Sequence, residues 1–120
     1  MNEVLIGKFA ESLYESVVEE NLGLYKDLFE KRAIDFQTEE TETEAIDLYN
    51  GLTDEKRVIL IKIIEQTMID TVSTVLGIID GHVTQVDNSI EPKLLLNSED
   101  THGVLQDFFL AYIEEQEDNN

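Results

Sequence analysis

Thr53–Asp80, TDEKRVILIKIIEQTMIDTVSTVLGIID, reads as one uninterrupted helix, and that reading decides the fold. Thr53 can cap it, and Asp54 and Glu55 fall in the first turn, where the helix dipole favours negative charge. Asp80-Gly81 is a turn signal, so the helix spans about 54–79 and is the longest element of the chain. At about 100° per residue, Lys62, Gln66, Asp70, Ser73 and Gly77 share an arc of roughly 80° that also holds Ile59. Ile61, Ile64, Met68, Val72, Val75, Leu76 and Ile79 take much of the remaining circumference. So narrow a polar stripe predicts a helix surrounded by other elements, the spine of the domain. Thr67, Thr71 and Thr74 share another side, where their hydroxyls can bond back to helix carbonyls beside a neighbouring helix.

Upstream, Ile6, Phe9, Ala10, Leu13, Tyr14, Val17 and Val18 recur at helical spacing and predict an amphipathic helix over 3–19, with Glu3, Glu11, Glu15 and Glu19 on its other faces. Asn21 and Gly23 weaken the pattern. Leu22, Tyr25, Leu28 and Phe29 restart it as a second short helix or a bent continuation, and Lys26, Lys31 and Arg32 make this the least acidic stretch. The polar run from Gln37 to Glu44 begins as a loop; Thr41 and Glu44 have the spacing of a capping box, so a short helix follows through Ala45, Ile46, Leu48 and Tyr49 until Gly51 stops it. Downstream, His82–Val86 alternates and Lys93–Asn97 is short and apolar, with Asp87-Asn-Ser between them, which predicts a small hairpin over about 82–97 lying against the helices. Leu105, Phe108, Phe109, Tyr112 and Ile113 form the apolar face of a last helix that docks on the spine. Glu114, Glu115, Glu117 and Asp118 carry the wrong sign for a helix C-terminus, so residues 115–120 are expected to fray. The fold class is therefore mainly α: one domain over 1–120, a helical bundle around a long central helix, with a small β-hairpin before the C-terminal helix.

Charge dominates the composition. The 120 residues include 27 acidic and 8 basic side chains, for a net charge of −19, while 42% of the chain is hydrophobic, enough for a packed core. Such a surface repels nucleic acid and anionic lipid, so no direct nucleic-acid contact and no membrane contact are expected. The absence of cysteine excludes disulfides and thiolate metal sites and fits a reducing cytoplasm. No basic stretch leads into an apolar one at Met1-Asn2-Glu3-Val4, and no apolar run approaches the roughly 18 residues that span a bilayer. The expectation is a soluble cytoplasmic protein.

Chemistry-bearing patterns are few. Glu99 and His102 have the Glu-x-x-His spacing of di-iron bundles, but the second copy and the two further glutamates are missing, and the pair reads as a solvated helix start. His82 reads as a strand-edge histidine. Asp70 reads as a water-facing carboxylate on the polar stripe, and it lies about 140° from Glu65, too far round one helix to form an acid/base pair with it. The unspaced glutamates from Glu39 to Glu44 form a solvated face, not a calcium loop. No catalytic residue, metal or cofactor is expected, and the chain is not read as an enzyme.

Leu24–Phe29, Leu48-Tyr49 with Leu52–Glu55, Thr71–Gly77 with Asp80-Gly81, and Leu105–Glu114 resemble segments of small acidic helical proteins of bacteria, a resemblance that covers most of the chain and transfers no functional residue. In size, acidity and helical content the chain is also similar to immunity proteins against toxin nucleases and to phage proteins that imitate DNA. The charge points to a basic protein partner, a toxin nuclease foremost, with Glu39, Glu40, Glu42, Glu44, Asp47 and Tyr49 as the contact, where charge density meets an aromatic side chain. The alternatives are a DNA-mimic inhibitor of a defence enzyme, or a structural or regulatory subunit that docks through an apolar patch on the first or last helix.

Overall fold

The computed structural model describes residues 3–30, 39–87 and 89–119. It is mainly helical, with a long central helix and a two-stranded antiparallel hairpin before the C-terminal helix. The elements in chain order are α1 (Glu3–Leu13), a π-helical segment (Tyr14–Glu19), α2 (Glu20–Glu30), α3 (Glu40–Asn50), α4 (Asp54–Asp80), β1 (Leu95–Leu96), β2 (Glu99–Asp100) and α5 (Leu105–Asp118).

The first three run on without a break. Ile6, Ala10, Tyr14, Val18 and Leu22 recur every four residues, and on an α-helix each such step drifts by about 40°, which would carry the last of them far round the surface. Wider winding over Tyr14–Glu19, where the Glu20 N–H donates to the Glu15 carbonyl, offsets that drift and keeps Val18 buried in line with Ile6 and Ala10. Gly23 does not interrupt the helix, so the bent continuation is the form the chain takes.

α3 begins two residues earlier than the pattern suggests. Glu39 is its N-cap, Thr41 lies inside it and caps nothing, and the Thr43 hydroxyl donates to the Glu39 carbonyl at 3.1 Å. The Gln37–Thr38 part of the expected loop, like Lys31, Arg32 and Phe36, lies outside the described residues. Gly51 ends α3, and the Thr53 hydroxyl accepts the Lys56 N–H at 3.3 Å to open α4. Gly81, with φ 84°, closes α4 in the left-handed conformation, and its own N–H and those of His82 and Val83 satisfy the Ile78 and Gly77 carbonyls.

At 1.5 Å per residue the 27-residue α4 is about 40 Å long, and it serves two packing groups. Its C-terminal half joins α1, the π segment and α5 around Ile6, Ala10, Val18, Ile69, Leu76, Leu105, Phe109 and Ile113. Its N-terminal half meets α2 and α3, where Leu22, Phe29 and Ile46 are buried and the Phe29 and Tyr49 rings stack at 4.7 Å. The resulting shape is extended. Its extents are 50 × 37 × 24 Å and its radius of gyration is 17.9 Å, against about 14 Å for a compact domain of this length.

Two features of the spine differ from the wheel. It is not surrounded: Val58, Ile59, Ile63 and Val75 are 50–57% exposed. Its polar arc also divides between two environments. Lys62, Gln66 and Asp70 face solvent, but Gly77 is buried and Ser73 accepts from the Gln106 side chain of α5. A wheel ranks polarity and cannot see that a small residue on the polar arc is where α5 comes closest. Thr67 and Thr71 bond back to the Ile63 and Thr67 carbonyls at 2.7 Å each, but from exposed positions and not against a neighbouring helix.

The hairpin is present but sits later than 82–97. Leu95 pairs with Asp100 and Leu96 with Glu99 across a two-residue turn of Asn97 and Ser98, both at positive φ (49° and 70°). His82–Val86 forms no strand. Val83 is half-buried beside Gly77, while Val86 stands fully exposed. The expected turn at Asp87 does form, with the Asp87 carboxylate accepting from the Ser89 N–H and hydroxyl, but no ladder flanks it. Buried Thr101 closes the base of the hairpin by donating its hydroxyl to the Leu94 carbonyl at 2.9 Å. The 115–120 stretch is helical through Asp118, and Asn120 lies outside the described residues.

Candidate functional site

Of the six residues singled out, Glu39 is the N-cap of α3 and the other five divide between two faces of that helix. Glu40, Glu44 and Asp47 are spaced by four and three residues and form an exposed acidic edge. Glu42 and Tyr49 belong to the half-buried side with Ile46. Tyr49 is already engaged inside the molecule. Phe29 covers one face of its ring, nearly parallel at 8°, and the Arg57 guanidinium stands 4.8 Å from the ring centroid. Arg57 is in turn fixed by the Tyr49 carbonyl at 2.9 Å, the Asn50 carbonyl at 3.2 Å and the Asp54 carboxylate at 3.4 Å. Tyr49 is therefore a packing residue that joins α2, α3 and α4.

The exposed aromatic beside the acidic helix is Tyr25, which the charge argument did not select. Leu24, Tyr25, Asp27 and Leu28 of α2 face Glu39, Thr41, Glu42 and Ala45 across a groove of about 560 Å³. Leu24 is 66% and Tyr25 44% exposed, so the groove offers apolar surface between carboxylates from both walls. Among the described residues no cation lines it. The signal that could have found it is Leu24, an apolar residue out of step with the buried Leu22 and Phe29 on the same helix.

A second acidic and aromatic locus lies at the π segment. Tyr14 and Tyr112 meet edge to face at 5.5 Å. Burial raises the pKa of the Tyr14 phenol, and Glu65, Glu19 and Glu117 add to the effect. Burial likewise raises that of Tyr112, with Glu11, Glu15, Glu19 and Tyr14 contributing. Four of these glutamates come from α1, the π segment and α4, which only the fold brings together.

The histidines do structural work. Glu99 lies in β2 and His102 in the following turn at φ 53°, so neither occupies a helix start. His82 follows α4 in irregular backbone, not at a strand edge, and its Nε2 donates to the Gly103 carbonyl at 2.7 Å. Asp80 accepts the N–H groups of Leu105 and Gln106 at 3.2 and 2.7 Å, and so caps α5 from the end of α4. Asp70 is exposed and accepts from Gln66 at 2.8 Å. The Asp100 carboxyl is held below the usual carboxylate range by the His102 N–H and by Lys93, 2.9 Å away. Among the described residues no group of three or more His, Asp and Glu side chains is placed to hold a metal ion, and no helix is long and apolar enough to cross a membrane.

No family model, no curated protein and no solved structure matches the chain.

Proposed function

We propose that the chain is a non-catalytic, acidic binding protein that neutralises a basic partner in the cytoplasm, with a toxin nuclease as the leading case. A nuclease must present cations to its polyanionic substrate, and a surface of net charge −19 is complementary to that. The observation that carries the reading is the groove between α2 and α3, where Asp27, Glu39 and Glu42 flank exposed Leu24 and Tyr25 and half-buried Leu28. A basic segment with one apolar side would bury that side on Leu24 and Tyr25 and set its cations against the carboxylates. The long-range field speeds the encounter, and the apolar contact slows dissociation. Glu40, Glu44 and Asp47 contribute to the field from the outer edge.

The test is capture of the partner with tagged protein from the native host, followed by stopped-flow association with the purified pair. The expected partner is basic, and its on-rate falls about tenfold or more between low and physiological salt. D27N/E39Q/E42Q slows association, and L24S speeds dissociation. A salt-independent on-rate, or a neutral partner unaffected by these changes, refutes the reading.

A structural or regulatory subunit is the second reading, favoured by the apolar strip of Val58, Ile59 and Ile63, which lies on α4 and not on the first or last helix. It requires that I59E/I63E, which leaves the α2/α3 groove untouched, abolish partner capture while the acidic-groove variants do not.

A further inference from the structure

One side of the molecule runs against the charge of the whole. Lys26 of α2, Tyr49 of α3 and the Asp54–Lys62 stretch of α4 enclose a cleft of about 510 Å³, within the range of about 300–1,000 Å³ typical of small-molecule sites. Three of the chain's eight basic side chains, Lys26, Arg57 and Lys62, line it against one carboxylate, Asp54. In a protein with 27 carboxylates, paired lysines are the default expectation. Yet among the described residues neither Lys26 nor Lys62 forms an ion pair. Arg57 is held rigidly by two carbonyls and Asp54, so its charge is fixed at the cleft, while the two lysines remain free to close on an occupant. The wall between them is apolar: Val58 is 55% exposed and Ile61 is half-buried.

We propose that this cleft binds a small organic anion, with a carboxylate or phosphate head held by Lys26 and Lys62 beside Arg57 and an apolar body lying on Val58 and Ile61. Charge selects the size of the occupant. A nucleic acid or an acidic protein would bring its remaining charge against the surrounding negative surface, whereas an anion of one or two charges meets mainly the local cations and the apolar wall. The site uses different residues from the acidic groove and stands or falls independently of it.

The test is titration of the full-length 15N-labelled chain with octanoate, octyl phosphate and octan-1-ol, followed by amide chemical shifts. Saturable shifts centred on Lys26, Arg57, Val58, Ile61 and Lys62 are expected for at least one anion, with octan-1-ol about tenfold weaker or more. K26Q/K62Q changes two exposed side chains, is expected to keep the rest of the spectrum, and weakens the anion about tenfold. The tighter of the two anions identifies the head group. Equal binding of the alcohol, shifts centred on another surface, an unaffected double variant, or no saturation by about 5 mM overturns the proposal.

Discussion

Asp80→Ala tests how the two long helices of the main core are joined. Asp80 is the last residue of α4, yet its carboxylate accepts the first two N–H groups of α5, those of Leu105 and Gln106. α5 has no cap of its own, because Val104 at its N-cap position offers no side-chain acceptor. Replacing a capping carboxylate by alanine costs about 0.5–2 kcal/mol, and the lost interaction with the dipole of α5 adds about 0.3–1. A carboxylate at the C-terminus of α4 is itself unfavourable by a few tenths, which offsets part of that cost. The balance is a loss of about 2 kcal/mol, with about half of that for Asp80→Asn, which keeps one acceptor and loses the charge. At roughly 4 °C per kcal/mol for a domain of this length, Asp80→Ala lowers Tm by about 8 °C. Urea unfolding followed by far-ultraviolet circular dichroism gives the same quantity as a shifted midpoint at unchanged slope. The expected order is wild type, then Asn, then Ala. An alanine variant within about 0.5 kcal/mol of wild type would show that α5 needs no cap from α4.

Glycines in two helices should respond in opposite directions to the same change. Gly23 has nothing within 4 Å of an added Cβ, so Gly23→Ala stabilises by about 0.5–1 kcal/mol through backbone entropy; at Gly77 the Cβ would lie 2.6 Å from Val83 Cγ2 and 2.8 Å from the Gln106 amide nitrogen, and overpacking of about 1–3 kcal/mol outweighs that gain. Urea midpoints moving the same way in both variants would contradict the packing described. Raised phenol pKa values make Tyr14 and Tyr112 titrate above their unfolded value of 10.0, so their contribution to stability is complete below pH 10 and declines as pH rises from there through the folded values. Phenolate absorbance should show two late-titrating groups, one of them lost in Tyr14→Phe. Asp100 has the opposite sign: its depressed pKa gives stability that is present above the unfolded value of 3.8 and fades as pH falls through the folded one. A carboxyl carbon titration should place Asp100 below 3.8, and Lys93→Met should move it part of the way back.

Local signals were strong wherever backbone groups had to be satisfied within a few residues. Thr53 as a cap, Gly51 as a stop and Gly81 in a left-handed closure were each legible, because a helix end must find its partners among its own neighbours. The amphipathic faces of α1 and α5 were legible for a related reason: Ile6, Ala10, Leu105, Phe109 and Ile113 have no soluble alternative to burial. The candidate contact was legible only as charge. Glu39–Asp47 stood out by density, but charge density does not say which side of α3 is covered, and Tyr49, the aromatic attached to it, is half-buried and stacked on Phe29.

The chain by itself therefore determined its helices, their order and the sign of its field, since these depend on periodicity and composition. The tertiary structure alone decided what depends on which elements approach. It turned Ser73 and Gly77 inward to receive Gln106 and gave Asp80 to α5. It paired Leu95-Leu96 with Glu99-Asp100 and left His82–Val86 irregular, and it left Val58, Ile59 and Ile63 in solvent. It also gathered Lys26, Arg57 and Lys62 from two helices into one cleft. The physical reason is common to all of these: burial and hydrogen bonding between distant segments are settled by proximity in space, and an apolar or polar residue carries no mark in the sequence of which neighbour will reach it.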